Sequence, residues 1–137
     1  MKKTKTLLTL LAGILLASSF PGCKKYEEGP AISFRSRAER VSNTWKVEKL
    51  LVNGADNTPQ YTAFTETYTK AGSYEYDLSG NKGSGKWEFA ENDTQIKRSG
   101  VSGMSSYNLV ILKLKESEFW YSYSDGNDTW EFHMIPN

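Results

Sequence analysis

From residue 43 onward, short segments of alternating apolar and polar residues follow one another, and turn residues separate them. In residues 74–78, Tyr74, Tyr76 and Leu78 alternate with acidic residues, which indicates a strand with one buried and one solvated face. Asp125-Gly126, between two aromatic runs, is typical of a hairpin turn. The pattern predicts eight strands, at residues 45–52, 61–69, 74–78, 85–89, 94–98, 107–114, 119–123 and 129–135.

The links between these predicted strands are short, which favours sequential antiparallel neighbours and therefore a meander. Eight twisted strands in a meander close into a barrel that leaves no free edge. We therefore predict an all-β fold, an eight-stranded antiparallel up-and-down barrel. The alternative is a β-sandwich, whose long connection only the Gly/Ser-rich segment 99–106 could supply. In strand 107–114, we expect Val110, Leu112 and Leu114 to face inward, because Lys113 and Lys115 then face outward.

The chain begins with the pattern of a bacterial lipoprotein signal. Three lysines precede an apolar run from residue 7 to residue 20, which is shorter than the roughly 20 residues of a membrane-spanning helix. Gly22 stands directly before Cys23, the only cysteine, and a small residue there suits a lipoprotein signal peptidase. We expect cleavage before Cys23 and lipidation of its thiol; ordinary secretory cleavage that leaves a free thiol is the alternative.

This interpretation divides the chain into a signal peptide at 1–22, a tether at 23–40 and a barrel domain at 41–137. Each buried methylene of an acyl chain contributes about 0.8 kcal/mol, so a multiply acylated Cys23 would hold the protein stably on a membrane. We expect a lipid-anchored protein of the cell envelope, at the outer membrane, with its membrane face undetermined by the sequence. A short helical turn within residues 35–40 is a further expectation.

The charge of the mature part argues against a nucleic-acid partner. Removing residues 1–22 takes away three lysines and no acidic residue, which leaves 14 basic and 16 acidic side chains and a net charge of −2. No basic cluster of the kind that binds phosphate backbones is present in the sequence. The four Trp, eight Tyr and six Phe residues suit a half-buried pleated surface.

The sequence offers little catalytic or metal-binding chemistry. His133 is the only histidine, and with Cys23 assigned to the anchor a His/Cys metal cluster is excluded. His133 shares strand parity with Glu131, so we expect both to face water opposite Trp130, Phe132 and Met134. The oxygen-rich segment 125–128 lacks the later bidentate Glu of a calcium loop and is interpreted as a turn. We therefore expect no enzyme, no catalytic residue, no metal and no cofactor.

Several short motifs resemble the lipocalin-like domains of Bacteroidota lipoproteins. Asn43-Thr44-Trp45 resembles the Gly/Asn-x-Trp motif that begins their barrel, and Gly85-Lys86-Trp87 resembles the Gly-x-Trp of their fourth strand. The segments 68–74 and 112–120 resemble two of their hairpins, so the likeness extends over residues 40–135. The resemblance implies an eight-stranded barrel, often with an internal apolar cavity, and implies no particular ligand.

The aromatic residues suggest a ligand site inside the barrel. We expect six of them to point inward and to line a cavity for a small apolar ligand: Trp45, Tyr76, Trp87, Phe89, Tyr121 and Trp130. The alternative is that these rings simply fill a small barrel. A filled barrel would be an interaction or structural module that presents its loop surface, residues 99–104 and exposed aromatics such as Trp120, to an unidentified protein or glycan partner.

Overall fold

The computed structural model describes residues 34–102 and 106–137. One helix and nine strands form it, with a short 3-10 turn at Thr58–Gln60. The elements are α1 (Arg37–Val41), β1 (Thr44–Val52), β2 (Ala55–Asp56), β3 (Phe64–Tyr68), β4 (Ser73–Leu78), β5 (Asn81–Ala90), β6 (Gln95–Ser99), β7 (Asn108–Leu114), β8 (Phe119–Ser124) and β9 (Thr129–Pro136). The predicted signal peptide, Cys23 and the tether up to residue 33 lie outside the described residues. Residues 103–105, within the Gly/Ser-rich segment 99–106, do so too.

The strands form a single antiparallel sheet that closes on itself. Its order is β2-β1-β3-β4-β5-β6-β7-β8-β9, and β9 pairs back onto β1 from Trp45↔Pro136 to Val52↔Trp130. Strand β2 is a two-residue extra strand hydrogen-bonded to the end of β1. The other eight form a closed up-and-down barrel, which confirms the predicted fold class and excludes the sandwich.

The turns that join the strands follow from their residues. In the β8–β9 turn, the Asp125 carboxylate accepts hydrogen bonds from the backbone N–H of Asn127 (2.9 Å) and Asp128 (2.8 Å). It also accepts one from Trp130 Nε1 at 3.0 Å, and Gly126 adopts φ +95°. The segment is therefore a side-chain-stabilised hairpin turn, as predicted.

Strand β7 corrects the predicted inward face of residues 107–114. Leu109 and Ile111 are buried, and Val110 is outside the barrel with 42% of its surface exposed. The register against β8 shifts between Ile111 and Lys113, which is a β-bulge. Because a bulge inserts one residue into one strand, it reverses the alternation, and Leu114 is buried on the inner face after it. The prediction was therefore wrong for Val110, right for Leu114, and Leu112 is only half-buried.

Helix α1 closes one end of the barrel, which we name the capped end. Ser36 and Glu39 form a capping box at its start, and a hydrogen bond from Lys70 together with those from Ser36 lowers the pKa of Glu39 to about 2. Val41 is fully buried and Arg40 Nη1 donates to the Leu114 carbonyl oxygen at 2.9 Å. Residues 37–40, assigned to the tether, are thus helical and packed on the barrel. No helix of the described residues is long and apolar enough to span a membrane.

Candidate functional site

A carboxylate lies at the centre of the barrel interior. Glu66, in the middle of β3, has no solvent-exposed surface. Its Oε1 accepts hydrogen bonds from the Tyr74 hydroxyl (2.7 Å) and from Arg98 Nη1, and its Oε2 accepts them from the hydroxyls of Tyr121 (2.8 Å) and Tyr68 (3.3 Å). Four donors therefore surround one carboxylate. Their hydrogen bonds offset the free-energy cost of burying its charge away from water.

Arg98, near the end of β6, is the cationic partner of Glu66. Its side chain is 5% exposed, and its Nη1 donates both to Glu66 and to the Tyr74 hydroxyl, the latter at 2.7 Å. The guanidinium carbon also lies 4.9 Å from the centre of the Tyr74 ring, within the range of a cation–π contact. We name Glu66, Arg98, Tyr68, Tyr74 and Tyr121 the polar cluster.

The three tyrosines of the polar cluster act as hydrogen-bond donors because their hydroxyls stay protonated. Burial, and then the negative charge of Glu66, raises the pKa of Tyr121 and of Tyr68 well above its ordinary value near 10. The pKa of Tyr74 is raised for the same reasons. A neutral phenol keeps its O–H hydrogen, so all three hydroxyls can donate to the carboxylate at any physiological pH.

The sequence interpretation missed the polar cluster. Glu66 shares strand parity with Phe64 and Tyr68, and Arg98 shares parity with Ile96, and all three of these apolar or aromatic neighbours are buried. The sequence signal for the cluster was that Glu66 and Arg98 are charged residues at positions whose strand parity points inward. Nothing in the alternation says that the two meet, because β3 and β6 are not neighbours in the sheet and 32 residues separate them.

At the capped end, the polar cluster rests on a fully apolar layer. Trp45 is completely buried, its Nε1 donates to the Val41 carbonyl oxygen at 2.8 Å, and its ring packs 5.6 Å from that of Phe119. Leu114 and Met134 are also completely buried there. Side chains therefore occupy the interior from helix α1 up to Glu66.

The opposite end carries half-buried aromatic rings, and we name it the mouth. Tyr123 stacks on Tyr107 (centroids 5.0 Å, planes at 11°) and on Trp130 (6.1 Å, 7°). The ring of Tyr61 packs edge-on against that of Trp130 at 6.1 Å. All four rings keep partial contact with solvent. At the mouth, the flat apolar surface of four neighbouring rings therefore reaches water.

The six aromatics predicted to point inward belong to the core or pack against it, but they do not line one cavity. Trp45, Trp87 and Tyr121 are buried, and Tyr76, Phe89 and Trp130 are half-buried. Along the strands, Trp45, Trp87 and Phe89 lie toward the capped end, and Tyr76 and Trp130 lie toward the mouth. Among ring pairs of the described residues, only Trp87 and Phe89 (5.3 Å) are both members of the set.

His133 and Glu131 lie on the outer face of the barrel, as their parity predicted, but they are not open to water. Their side chains are 11% and 13% exposed, and the imidazole Nε2 is 2.8 Å from the Glu131 carboxylate. His133 also stacks on Trp120 (3.8 Å, planes at 2°), and Lys113 Nζ lies 4.1 Å from the Trp120 ring centre. The expected exposure of His133 and Glu131 was wrong because ring stacking and ion pairing cover this part of the barrel wall. Trp120, which was expected to be exposed, is half-buried.

Two concavities among the described residues open on the outer wall of the barrel, and each is bordered by one of the six predicted aromatics, Tyr76 or Trp87. The larger, of about 440 Å³, is bordered by residues of β3, β4 and β5: Thr65, Thr67, Glu75, Tyr76, Asp77, Lys82, Gly83 and Ser84. The smaller, of about 240 Å³, lies at the β3–β4 turn, where Gly72, Ser73, Lys86, Trp87 and Ser99 are among the residues that border it. Within residues 34–102 and 106–137, no group of three His, Cys, Asp or Glu side chains is placed to hold a metal ion.

No protein-family model matches the chain, and no curated protein matches it either. The architecture, an eight-stranded antiparallel barrel with a buried aromatic core, is consistent with a lipocalin-like fold. The fold class is therefore stated from the structure alone.

Proposed function

We propose that this chain is a non-enzymatic, lipocalin-like binding barrel of the bacterial cell envelope, held at the outer membrane by lipidated Cys23. In this proposal the mouth binds a small ligand with a flat apolar part. The observation that carries it is the set of stacked, half-buried rings at the mouth. Clustered aromatic surface that stays in contact with water is a common mark of a binding site.

The ligand site of this proposal is the mouth and not the whole barrel. Below the mouth, Glu66 is saturated by four donors and the capped end is filled by rings such as Trp45 and Phe119. A ligand that reached deeper would have to displace close-packed side chains, which is costly. The ligand is therefore small and enters between rings such as Tyr123 and Trp130, whose stacking a flat molecule can replace.

A neutral, flat fluorescent probe tests this proposal. N-phenyl-1-naphthylamine, titrated into the mature protein, should show a blue-shifted, enhanced emission that saturates. Trp130→Leu should weaken binding about 3- to 10-fold, since an aromatic contact contributes about 0.5–1.5 kcal/mol. Phe89→Leu, a change at another half-buried ring, which lies toward the capped end, is the matched control and should leave binding unchanged. Absence of saturable binding, or equal effects of both changes, would contradict a ligand site at the mouth.

A second candidate function is an interaction module with a filled barrel, and the outer-wall concavity of about 440 Å³ favours it. The Glu75 carboxylate and the hydroxyls of Thr65 and Ser84 border that concavity and suit a hydroxyl-rich partner such as a glycan. Binding of the protein to immobilised envelope polysaccharide distinguishes the two functions. Loss of that binding in Glu75→Gln, with Trp130→Leu unaffected, would favour the outer wall over the mouth.

The anchor is tested separately. Mass spectrometry of the mature N-terminus should find an acylated Cys23 as the first residue. Cys23→Ser should move the protein from the membrane fraction to the soluble fraction. An N-terminus at another residue, or an unmodified thiol at Cys23, would remove the anchor from the proposal and leave the barrel's binding function standing.

A further inference from the structure

One part of the barrel's outer surface is much less exposed than the rest. Lys113, Glu131 and His133 point away from the interior, yet their side chains are only 13%, 13% and 11% exposed. The outward side chains of Lys82 and Glu88, on β5, are 71% and 68% exposed. The difference indicates that further atoms lie over this part of β7, β8 and β9. We name it the covered face, and its residues are Lys113, Trp120, Glu131 and His133.

Contacts within the covered face supply part of that cover. Trp120 stacks on one face of the His133 imidazole (3.8 Å, planes at 2°), and the Glu131 carboxylate meets one edge of that ring at 2.8 Å. A barrel wall is a single sheet and has no second layer over its outer face, so the other face of the imidazole is covered from elsewhere. Trp120, Glu131 and His133 each take part in a further interaction besides these.

The chain before residue 34 joins the described structure beside the covered face. Arg35 Nε lies 3.9 Å from the carboxylate of Glu116 in the β7–β8 turn, and Arg40 Nη1 donates to the Leu114 carbonyl oxygen at the end of β7. Trp120 is the second residue of β8, which begins just after that turn. Residues 24–33 therefore reach the fold at one edge of the covered face.

This segment is long enough to cross the covered face. Neighbouring strands lie about 4.8 Å apart, so the path from β7 over β8 and β9 to β1 is roughly 14 Å. A segment of ten residues spans about 33 Å when it is extended. Residues 24–33 can therefore pass over β8 and β9 and continue as far as β1.

The apolar residues of the segment suit the surface that they would cover. The segment contains Tyr26, Pro30 and Ile32. The nearly parallel rings of Trp120 and His133 present flat surface, on which aromatic and aliphatic side chains pack well.

The charges match as well. On β1, next to β9, Lys49 pairs with His133 in the sheet and Lys46 pairs with Ile135. Both lysines alternate with buried residues of β1 and so lie on the outer side of the barrel. The segment carries two consecutive acidic residues, at positions 27 and 28. Opposite charges arranged in this way fix the register of one surface on another.

We propose that residues 24–33 pack in extended form across the covered face, with their apolar side chains on the Trp120–His133 stack and their acidic pair beside Lys46 and Lys49. The segment is then part of the folded domain rather than a free leash, and Cys23 is held next to β9 and β1. The packing does not depend on a ligand at the mouth, so the two proposals can fail separately.

A spin label on Cys23 locates the segment. A mature chain produced without residues 1–22 carries Cys23 as its only thiol, so a nitroxide can be attached there alone. The label should broaden the amide NMR signals of His133 and Lys49 and leave those of Lys82 and Glu88 sharp. Broadening spread evenly around the capped end, or broadening that spares His133, would overturn the proposal.

Hydrogen exchange of the amides of residues 26–33 measures the packing. Exchange should be at least about tenfold slower than in a free peptide of the same sequence, because a packed segment must open before it exchanges. Trp120→Ala should restore the rate of the free peptide. Trp130→Ala, at a half-buried tryptophan of the mouth, is the matched control and should leave the segment protected. Ile32→Ser should also speed exchange, and it leaves the barrel unaltered if Trp120→Ala does not fold.

A charge swap tests the register. The double change Lys46→Glu/Lys49→Glu should speed exchange of the segment about 2- to 10-fold, as expected for two exposed ion pairs. Adding Glu27→Lys and Glu28→Lys should restore the protection. Lys82→Glu, on the opposite side of the barrel, is the control and should have no effect.

Three further results would overturn the packing of residues 24–33. Exchange at the rate of the free peptide in the unaltered protein would show that the segment is not packed. Equal acceleration by Trp120→Ala and Trp130→Ala would show general loosening rather than a specific surface. Protection that grows with protein concentration, together with a doubled mass in sedimentation, would assign the covered face to a second copy of the chain.

Discussion

The two ends of the barrel are built from the same residue types and differ in how much of each ring is covered. At the capped end, Trp45 and Phe119 have no exposed surface, and the indole N–H finds a backbone acceptor in Val41. At the mouth, Tyr123 and Trp130 stack on each other and remain half-buried. The comparison indicates that aromatic content alone does not mark a binding site. The covered rings contribute stability, and the half-covered rings are available to a ligand.

Truncating one tryptophan at each end should give the largest contrast. Trp45→Ala should lower the free energy of unfolding by about 3–5 kcal/mol, because it removes a fully buried ring and leaves a cavity. Trp130→Ala should cost less than half as much, because part of that ring already contacts water. Urea unfolding followed by circular dichroism measures both. Equal losses would mean that the two ends are packed alike.

The polar cluster between the two ends should depend on its ion pair. Glu66→Gln should lower the free energy of unfolding by about 3–5 kcal/mol, since it leaves the Arg98 charge buried without a counter-charge. The double change Glu66→Gln/Arg98→Met should cost less than the sum of the two single changes. Glu75→Gln, on the outer face of neighbouring β4, is the control and should have no measurable effect. Additive single changes would show that Glu66 and Arg98 do not stabilise each other.

Alkaline pH should destabilise the barrel through the same cluster. Tyrosines of the unfolded chain ionise near pH 10, whereas the pKa values of Tyr68, Tyr74 and Tyr121 are raised in the folded protein. Below about pH 10, both states hold these protons and stability is unaffected. Above it the unfolded state loses them first, so stability should fall by about 1.4 kcal/mol per pH unit for each tyrosine.

The slope of that fall identifies the residues. Urea unfolding at a series of pH values from 8 to 11 measures the slope. Tyr121→Phe should reduce it by the contribution of one tyrosine, about 1.4 kcal/mol per pH unit at most. The comparison uses slopes, because Tyr121→Phe also removes the hydrogen bond to Glu66 and so lowers stability at every pH. An unchanged slope in Tyr121→Phe would show that this hydroxyl is not held protonated in the folded barrel.

The helix cap should have the smallest effect. Ser36→Ala removes the side chain that accepts from the Glu39 backbone N–H and should lower the free energy of unfolding by about 1 kcal/mol. Ser84→Ala, at an exposed serine near the mouth end of β5, is the matched control and should change nothing measurable. Hydrogen exchange of the α1 amides measures the local effect. A larger loss than that of Trp45→Ala would show that α1, and not the ring layer beneath it, holds the capped end together.

The strands could be predicted because alternation is a local signal. Tyr74, Tyr76 and Leu78 lie on one face of β4 as expected, and the Asp125-Gly126 turn is where the pattern indicated. The strand predicted at residues 85–89 began too late, because β5 already begins at Asn81. Gly83 lies against the Tyr76 ring, where an added Cβ would approach a ring carbon to 2.3 Å. The prediction placed turns by their glycine and polar residues, so it could not recognise a glycine that lies within a strand to make room for a large neighbouring ring.

The candidate site could be predicted only in part. The alternation identified aromatic residues that belong to the core, but it did not divide them between the capped end and the mouth, because burial along a strand depends on what covers each end. Helix α1 covers one end. Its first four residues lie in the segment assigned to the tether, where only a short helical turn was expected. The β7 bulge at Ile111–Lys113 also reversed a face, and a bulge leaves no signature in a run of Leu, Val and Ile.

The sequence alone was therefore enough to predict eight antiparallel strands, the order in which they pair and a closed sheet. The alternation of buried and exposed residues and the short turns are local features that can be identified along the sequence. The meeting of Glu66 and Arg98, the bulge in β7 and the different cover of the two ends arose only when the sheet closed. Closure brings residues of non-adjacent strands across one interior, and the burial, charge pairing and solvent contact of each side chain follow from that enclosure.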